Sequence, residues 1–320
     1  MVFKRLLGAI GVGGPAVDTV LDTGVALPGG PLSGQVHLRG GDATVEIEHI
    51  GLELVARVEG ESEGTVAFAR FTVGGGFRLG EGEHRSVPFG VTLPWETPIT
   101  ELYGQQLGVV LGVRTELAVA GAKDKGDLDP LAVRPLPVQE AVLEAFGRLG
   151  FGFHSADLEY GHIGGTGQRL PFYQEIELTP APQYAHAVDE IELTFLAAPE
   201  GVEIVLEADK RGGLFSSGHD ALTRFTVGHQ EVHTRDWVAD LDGRVRQLVE
   251  HRPAHGAHDP YPGHGHHGDH HGHHDGHHSG PGIGTAVAAG AAGLAVGVVG
   301  GLVAAEVVDE IGDFFEEDED

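Results

Sequence analysis

The sequence contains no cysteine, so it can form no disulfide bond, no thiolate metal site and no cysteine nucleophile. Basic residues are scarce as well, because 20 Lys and Arg stand against 48 Asp and Glu, for a formal net charge of −28. This charge repels the nucleic acid backbone and anionic membrane surfaces. We therefore expect no nucleic-acid partner, and the missing cysteines fit a cytoplasmic location.

Motifs of enzyme active sites are also missing. The sequence has no G-x-S-x-G nucleophile elbow, and the Gly-rich runs at 11–14 and 161–167 lack the lysine of a P-loop. His229 and His233 resemble a zinc-binding helix motif only superficially, since Glu231 stands in the wrong slot. These observations predict a protein that is not an enzyme and that uses no cofactor.

Apolar residues alternate with polar residues over many short segments, and Gly or Pro separates the segments. This pattern is typical of antiparallel β-sandwiches rather than of parallel α/β sheets. In the run 43–59 the apolar positions change parity between Ile47 and Ile50. A one-residue shift of this kind predicts a β-bulge near 49–51.

The stretch 123–150 divides the strands into two groups. Its first half is rich in charge, Gly and Pro, so we expect no sheet ladder through it. Its second half predicts an amphipathic helix over 138–149. We interpret the stretch as the joint between two β domains, 1–130 and 131–252. Its charged residues are expected to set the angle between the domains, although solvated turn charges are the alternative: Lys123, Asp124, Lys125, Asp127 and Asp129.

Two element boundaries are expected from local signals. In the first domain, a strand over 64–73 is predicted to end at the glycines 74–76. In the second domain, a last strand is predicted over 232–238, and a closing helix over 245–249.

Residues 253–281 differ from the body in composition. They are rich in His, Gly and Pro and have no apolar set to bury, which predicts a disordered His-rich linker. Candidate metal-binding residues in it are His264, His266, His267, His270, His271, His273, His274, His277 and His278. Three hypotheses stay open: a spacer whose zinc or nickel binding is adventitious, a metal-handling segment, and a pH sensor. The last arises because protonation of all 21 His would move the net charge from −28 to −7.

The last segment, 282–320, predicts a Gly/Ala-rich helix with an acidic end. Gly293, Gly297 and Gly301 lie four residues apart, as in a glycine zipper that packs helices together. The uncharged part, 282–305, is long enough to span a bilayer, but no Lys or Arg flanks it. Membrane association, self-association and disorder are the three alternatives for this segment.

Four blocks of the body, in this order, resemble the SpoOM-like sporulation-control proteins of bacteria, a family with an arrestin-like fold. The blocks are SGQVHLRGGDATVEIEHIGLELVARVEGE, VPFGVTLPWETPIT, RTELAVAGAKDKGDLDPLAVRPLP and LEADKRGGLFSSGHDALTRFTV. The resemblance covers about residues 1–250. It implies an all-β fold of two arrestin-like antiparallel β-sandwich domains in tandem. It also implies a cytoplasmic regulator of development, sporulation or stress that acts through protein partners and has no catalytic residues. We expect such partners to dock on the sheet faces or the exposed edges of the two sandwiches.

Overall fold

The computed structural model describes residues 13–22, 24, 26–59, 64–121, 125–210 and 221–250. All of them fall within the unit Met1–His251. Antiparallel strands predominate among them, which confirms the expected fold class. The boundary predicted between 130 and 131 stays a prediction, and the linker 253–281 and helix 282–320 lie outside the described residues.

The first half of the described chain forms two facing sheets. Its strands are β1 Ala16–Leu21, β2 Pro31–Arg39, β3 Val45–Val58, β4 Gly64–Leu79, β5 His84–Thr92, β6 Glu101–Leu102, β7 Gln105–Gln106, β8 Leu111–Val119 and β9 Lys125–Pro130. One sheet has the order β1-β2-β5 and the other β4-β3-β8-β9, while β6 and β7 pair as a separate two-stranded hairpin. Val36 and Leu38 of the first sheet pack in one buried core with Leu54 and Val113 of the second.

The predicted β-bulge in β3 is confirmed. The pairing register of β3 shifts between Ile47 and His49 against β8, and between Ile50 and Gly51 against β4. Ile47 and Ile50 are both fully buried, although the regular alternation of side chains along a strand would place residues three positions apart on opposite faces. The bulge therefore keeps both halves of this long strand in contact with the same core.

Strand β4 runs through the glycines at which it was predicted to end, so that prediction was wrong. Gly74 pairs with Ile50 and Gly75 pairs with His49. Gly75 has a φ of +135°, and a Cβ atom there would lie 2.5 Å from the Cα of His49. Glycine thus permits the close approach of two backbones here instead of terminating the strand.

Strand β9 occupies the charged stretch through which no sheet ladder was expected, so that expectation was also wrong. Asp127 pairs with Thr115 of β8, and Asp129 pairs with Val113. Pro130 is the last residue of β9, and β9 is the outer strand of its sheet. At such a position the missing backbone donor of proline does not interrupt the ladder.

The second half forms a five-stranded antiparallel sheet of order β10-β11-β12-β13-β14 with two helices. Its elements are α1 Pro137–Leu149, β10 Gly152–Tyr160, β11 Phe172–Thr179, β12 Val188–Ala198, β13 Gly201–Lys210, β14 Ala221–Gly228, a 3₁₀ turn His229–His233 and α2 Trp237–Glu250. Val142 and Phe146 of α1 and Leu241 of α2 are buried in one core with Ile191 and Ile204 of the sheet. The layer that faces this sheet is therefore helical.

Helix α1 confirms the predicted helix over 138–149. Pro137 occupies its first turn, and the backbone N–H of Leu136 donates to Gln139 Oε1 at 2.7 Å. Gly150 ends the helix in the left-handed conformation, with a φ of 95°.

The strand predicted over 232–238 was wrong, because this range contains the 3₁₀ turn and the start of α2. Asp236 Oδ1 accepts a hydrogen bond from the backbone N–H of Ala239, which caps the new helix. Helix α2 therefore begins well before the closing helix that was predicted over 245–249.

Candidate functional site

The structure describes some of the predicted site residues. The nine histidines between His264 and His278 lie outside the described residues, as do Gly293, Gly297 and Gly301. Lys123 and Asp124 also lie outside them. The metal-binding, helix-packing and hinge roles of these residues stay predictions.

Asp127 and Asp129, which were predicted to act at the interdomain joint, lie on β9 in the first pair of sheets. Asp127 Oδ2 accepts a hydrogen bond of 2.6 Å from the backbone N–H of Thr19, on β1. Lys125 begins the same strand. The structure thus places these residues in strand pairing, and it places other residues between the two halves.

The end of β3 joins the two halves through the backbone. The N–H of Glu59, which follows β3, donates to the carbonyl of Leu158 on β10 at 2.7 Å. The N–H of Tyr160 on β10 donates back to the carbonyl of Glu59 at 3.2 Å. These two bonds form a short parallel bridge between the first half and the edge strand of the five-stranded sheet.

A buried side chain forms a second connection. Gln174 of β11 accepts from the backbone N–H of Ile99 at 2.9 Å and donates to the carbonyl of Ile99 at 2.8 Å. Close by, Glu96 accepts hydrogen bonds from the backbone N–H groups of Arg169 and Leu170 at 2.8–2.9 Å. Segment 94–100 is therefore held by polar contacts to the strand β11 and to the loop before it.

The hydrophobic cores continue across the same joint. Phe172 of β11 is buried in the core of the first half, where its ring meets Phe68 edge-on at a centroid distance of 5.6 Å. In the opposite direction, Ile99 is buried in the core of the second half. The two halves thus exchange apolar side chains, and such buried contacts oppose free rotation between them.

Acidic side chains line one face of the five-stranded sheet. Glu177, Glu192 and Glu207 are directly opposite one another on β11, β12 and β13. Two residues before Glu177 on the same strand, Glu175 is directly opposite Asp157 of β10. Like charges directly opposite one another destabilise a sheet, so the crowding of these carboxylates favours proton binding by the face.

The protonation of this face reflects burial and crowding. Burial, followed by repulsion from Glu192 and Asp157, raises the pKa of Glu175 to about 8. Burial, followed by repulsion from Glu59 and Glu159, raises the pKa of Asp157 to about 6. Both carboxyls therefore bind protons at pH values where an ordinary carboxyl is ionised.

Two groups on this face have the geometry of candidate metal sites. Ligand atoms of Glu59, Asp157 and Glu159 lie within 4.8 Å of one another, and so do those of His154, Glu177 and Glu190. Neither group is deeply buried. Close carboxylates are common on acidic surfaces, and the arrangement by itself identifies no ligand.

A different exposed feature is the turn between β6 and β7. Tyr103 and Gly104 form this two-residue turn with φ values of 53° and 78°. Tyr103 is the one residue other than glycine with a positive φ in the described part of the chain. Its side chain is 64% exposed. Burial of the hydroxyl, followed by the negative charges of Glu140 and Glu144 on α1, raises its pKa.

Next to these glutamates, a groove of about 400 Å³ runs between α1 and the segment that leads into α2. The lining residues include Glu140, Ala141, Glu144, Arg148, Arg235 and Trp237. Arg235 is held by Glu231 and Asp240 at 2.8 and 3.0 Å, so its charge is largely compensated. Glu140 and Glu144, whose charges act on Tyr103, make their part of the groove acidic.

Sequence reasoning missed both the acidic sheet face and Tyr103. The alternating glutamates at 175, 177, 190 and 192 were visible, but the strand register that brings them together was not. For the turn at Tyr103, the one local signal is Gly104, because tyrosine is not among the residues that favour a two-residue hairpin turn.

Comparison with known proteins identifies the family. The family model described as SpoOM protein matches residues 3–212, about two thirds of the chain. The chain belongs to the SpoOM family. A curated relative, the sporulation-control protein Spo0M of Bacillus subtilis (strain 168), is 38% identical over 215 residues, covering 65% of this chain and 81% of the relative.

A solved structure extends the likeness to the SpoOM fold. The crystal structure of Spo0M from Bacillus subtilis has a TM-score of 0.65 and 32% sequence identity, covering 74% of this chain and 100% of that chain. The resemblance drawn from the four sequence blocks is thereby confirmed. Membership in a sporulation-control family indicates a regulatory role in sporulation.

Proposed function

We propose that this SpoOM-family chain is a non-enzymatic adaptor that regulates bacterial development, in sporulation control or in the response to stress. It acts by binding another protein. The docking surface consists of Tyr103, Glu140 and Glu144, together with the adjoining groove; we refer to it as the Tyr103 surface. The partner presents a Lys- or Arg-rich segment to it. The sequence suggested sheet faces and edges for docking, and the Tyr103 surface lies instead beside a helix.

The conformation of Tyr103 is the observation that carries this proposal. A two-residue turn with both φ values positive favours Asn, Asp or Gly, and other residues there cost on the order of 1 kcal/mol. Burial compensates this cost only in small part, since the side chain of Tyr103 is 64% exposed. An exposed tyrosine in a strained position is therefore better explained by a contact outside the chain than by folding. Tyrosine is also enriched among the residues that dominate binding energy in protein interfaces.

Charge defines the partner. Glu144 is exposed and Glu140 is half-buried, and both act on the Tyr103 hydroxyl. The face of an aromatic ring attracts cations, and two carboxylates beside it strengthen that attraction. A Lys or Arg side chain from the partner can contact the ring and a carboxylate together. A partner segment rich in Asp and Glu would be repelled by the same groups.

The two other hypotheses from the sequence rest on residues outside the described part of the chain. Membrane association or self-association depends on 282–305, and metal handling depends on the His tract. Among the helices of the described residues, none has the length and hydropathy needed to cross a membrane. Both hypotheses stay predictions beside the adaptor function.

Site-specific photo-crosslinking tests the adaptor function. The full chain would carry p-benzoylphenylalanine at position 103, or at Tyr160 as a control of equal exposure (63%), in its own host cells. We expect position 103 to yield a crosslinked partner peptide rich in Lys or Arg. The replacement of Glu140 and Glu144 by Gln is expected to abolish this product. Equal products from positions 103 and 160, or a product that survives the Gln replacements, would contradict the proposal.

A further inference from the structure

The backbone bridge between Glu59 and β10 lies inside a cluster of carboxylates. The two hydrogen bonds, Glu59 N–H to Leu158 and Tyr160 N–H to Glu59, connect the first half of the chain to the second. The side chains of Glu59, Asp157 and Glu159 converge at this point, with carboxylate oxygens within 4.8 Å of one another. Repulsion among them therefore acts directly on the connection.

The groups around Asp157 come from every neighbouring strand. β10 contributes Glu159, and β11 contributes Glu177 together with Glu175, which is directly opposite Asp157. β12 contributes Glu190, and Glu59 extends from the end of β3. Other titratable or charged groups on these elements include Arg57, two residues before Glu59, and Tyr173, opposite Glu159. They also include Glu192, opposite Glu177, and His154, which lies 3.9 Å from Glu177.

One atom of the cluster has no partner. Asp157 Oδ1 is buried and accepts no hydrogen bond from the residues that the structure describes. A buried carboxylate oxygen without a donor is costly when the group is ionised. Protonation of the Asp157 carboxyl removes that cost and also removes one negative charge from the bridge.

We propose that this bridge is a proton-operated clasp, in which a protonated cluster holds Glu59 against β10 and a fully ionised cluster releases it. The burial and repulsion that raise the pKa of Asp157 to about 6 place the change close to neutral pH. The contacts of Ile99 with Gln174 and of Glu96 with Leu170 lie elsewhere in the joint. Release at Glu59 thus loosens one side of the joint while these contacts keep the halves attached.

Amide hydrogen exchange on the full-length protein tests the clasp, because its two donors are the amides of Glu59 and Tyr160. After correction for intrinsic exchange, their protection is expected to fall about three- to fourfold between pH 5.5 and pH 7.5, because one carboxyl with a pKa of about 6 in the closed clasp can contribute no more than this over the range. The amide of Ile99 serves as the internal control, and its protection is expected to change much less.

Two substitutions test whether the pH dependence of this protection arises from the carboxylate cluster. Asp157→Asn, and independently Glu59→Gln, should give high protection of the Tyr160 amide at both pH values. Glu203→Gln, on β13 of the same sheet, should leave the pH dependence as in the wild type. The proposal is overturned if the wild type shows equal protection at both pH values, or if the pH dependence persists in Asp157→Asn and Glu59→Gln.

Discussion

The side-chain amide of Gln174 forms two hydrogen bonds with the backbone of Ile99, 75 residues earlier in the chain. Both residues are buried, with exposures of 9% and 1%. At the joint between the two halves, this one side chain satisfies both backbone polar groups of Ile99, as a neighbouring strand would do in a sheet. Its geometry leads to the first prediction.

Gln174→Leu is expected to lower the free energy of unfolding by about 2–4 kcal/mol, because the buried N–H and carbonyl of Ile99 lose their partners. Urea denaturation of the full chain measures this loss. Gln183→Leu is the matched control, since Gln183 is exposed and makes a single hydrogen bond to Leu149. A loss at Gln174 no larger than that at Gln183 would show that the pair does not hold the joint.

The glycines of β4 and α1 should respond to alanine with opposite signs. Gly75→Ala places a Cβ 2.4 Å from the carbonyl oxygen of Glu48 and is expected to destabilise the fold by about 2 kcal/mol or more. Gly147→Ala, inside α1 with open space around it, is expected to stabilise by about 0.5–1 kcal/mol. Thermal unfolding of the two variants gives the comparison, and a stable Gly75→Ala protein would refute the close approach of β3 and β4.

Stability should fall as the pH rises through the titration of Glu175. The folded protein raises the pKa of this carboxyl from its ordinary value of 4.5 to about 8, so the folded state binds the proton more tightly than the unfolded chain. The contribution is complete below about pH 4.5 and disappears as the pH passes 8. Glu175→Gln should therefore be more stable than the wild type at pH 8.5, by about 1 kcal/mol after solvent screening is allowed for.

Urea unfolding of the wild type and Glu175→Gln between pH 5 and pH 9 measures that difference. Glu203→Gln, on the same sheet, is the control and should follow the wild type. If Glu175→Gln shows no gain over the wild type at high pH, Glu175 does not retain a proton in the folded protein.

A substitution of Tyr103 can separate the effect of this residue on stability from its effect on binding. Tyr103→Gly removes the ring and relieves the positive φ, so the melting temperature should stay equal to that of the wild type or rise slightly. Differential scanning calorimetry provides the measurement. A melting temperature several degrees lower would mean that the ring stabilises the fold, and the strain argument for a binding role would then fail.

Much of the fold was predictable from the sequence, because the alternation of apolar residues shows which side of each strand faces a core. The bulge between Ile47 and Ile50 and the helix α1 were both predicted from such patterns. The two failures in the first half share one cause. Strand β9 and the path of β4 through Gly75 depend on partners distant in sequence, which override the local signals of proline and glycine.

The candidate site was less predictable than the fold. The carboxylates of Glu59 and Asp157 meet because β3 ends against β10, and nothing in either local sequence indicates that meeting. The predicted hinge at Asp127 was drawn from charge alone, whereas the residues that connect the halves, such as Gln174 and Ile99, are buried and lie in ordinary strand and loop sequence.

Replacement of the chromosomal gene by its Tyr103→Gly form tests whether Tyr103 binds a partner that sporulation requires. The fraction of cells that complete sporulation would be compared with that of a Phe153→Thr strain, whose exposed aromatic side chain (48%) lies outside the clasp, with the level of each protein measured by immunoblot. We expect Tyr103→Gly to lower this fraction to the level of a gene deletion at unchanged protein level, and Phe153→Thr to leave it unchanged. Sporulation of the Tyr103→Gly strain at the wild-type level, when a deletion strain is impaired, would contradict the adaptor function.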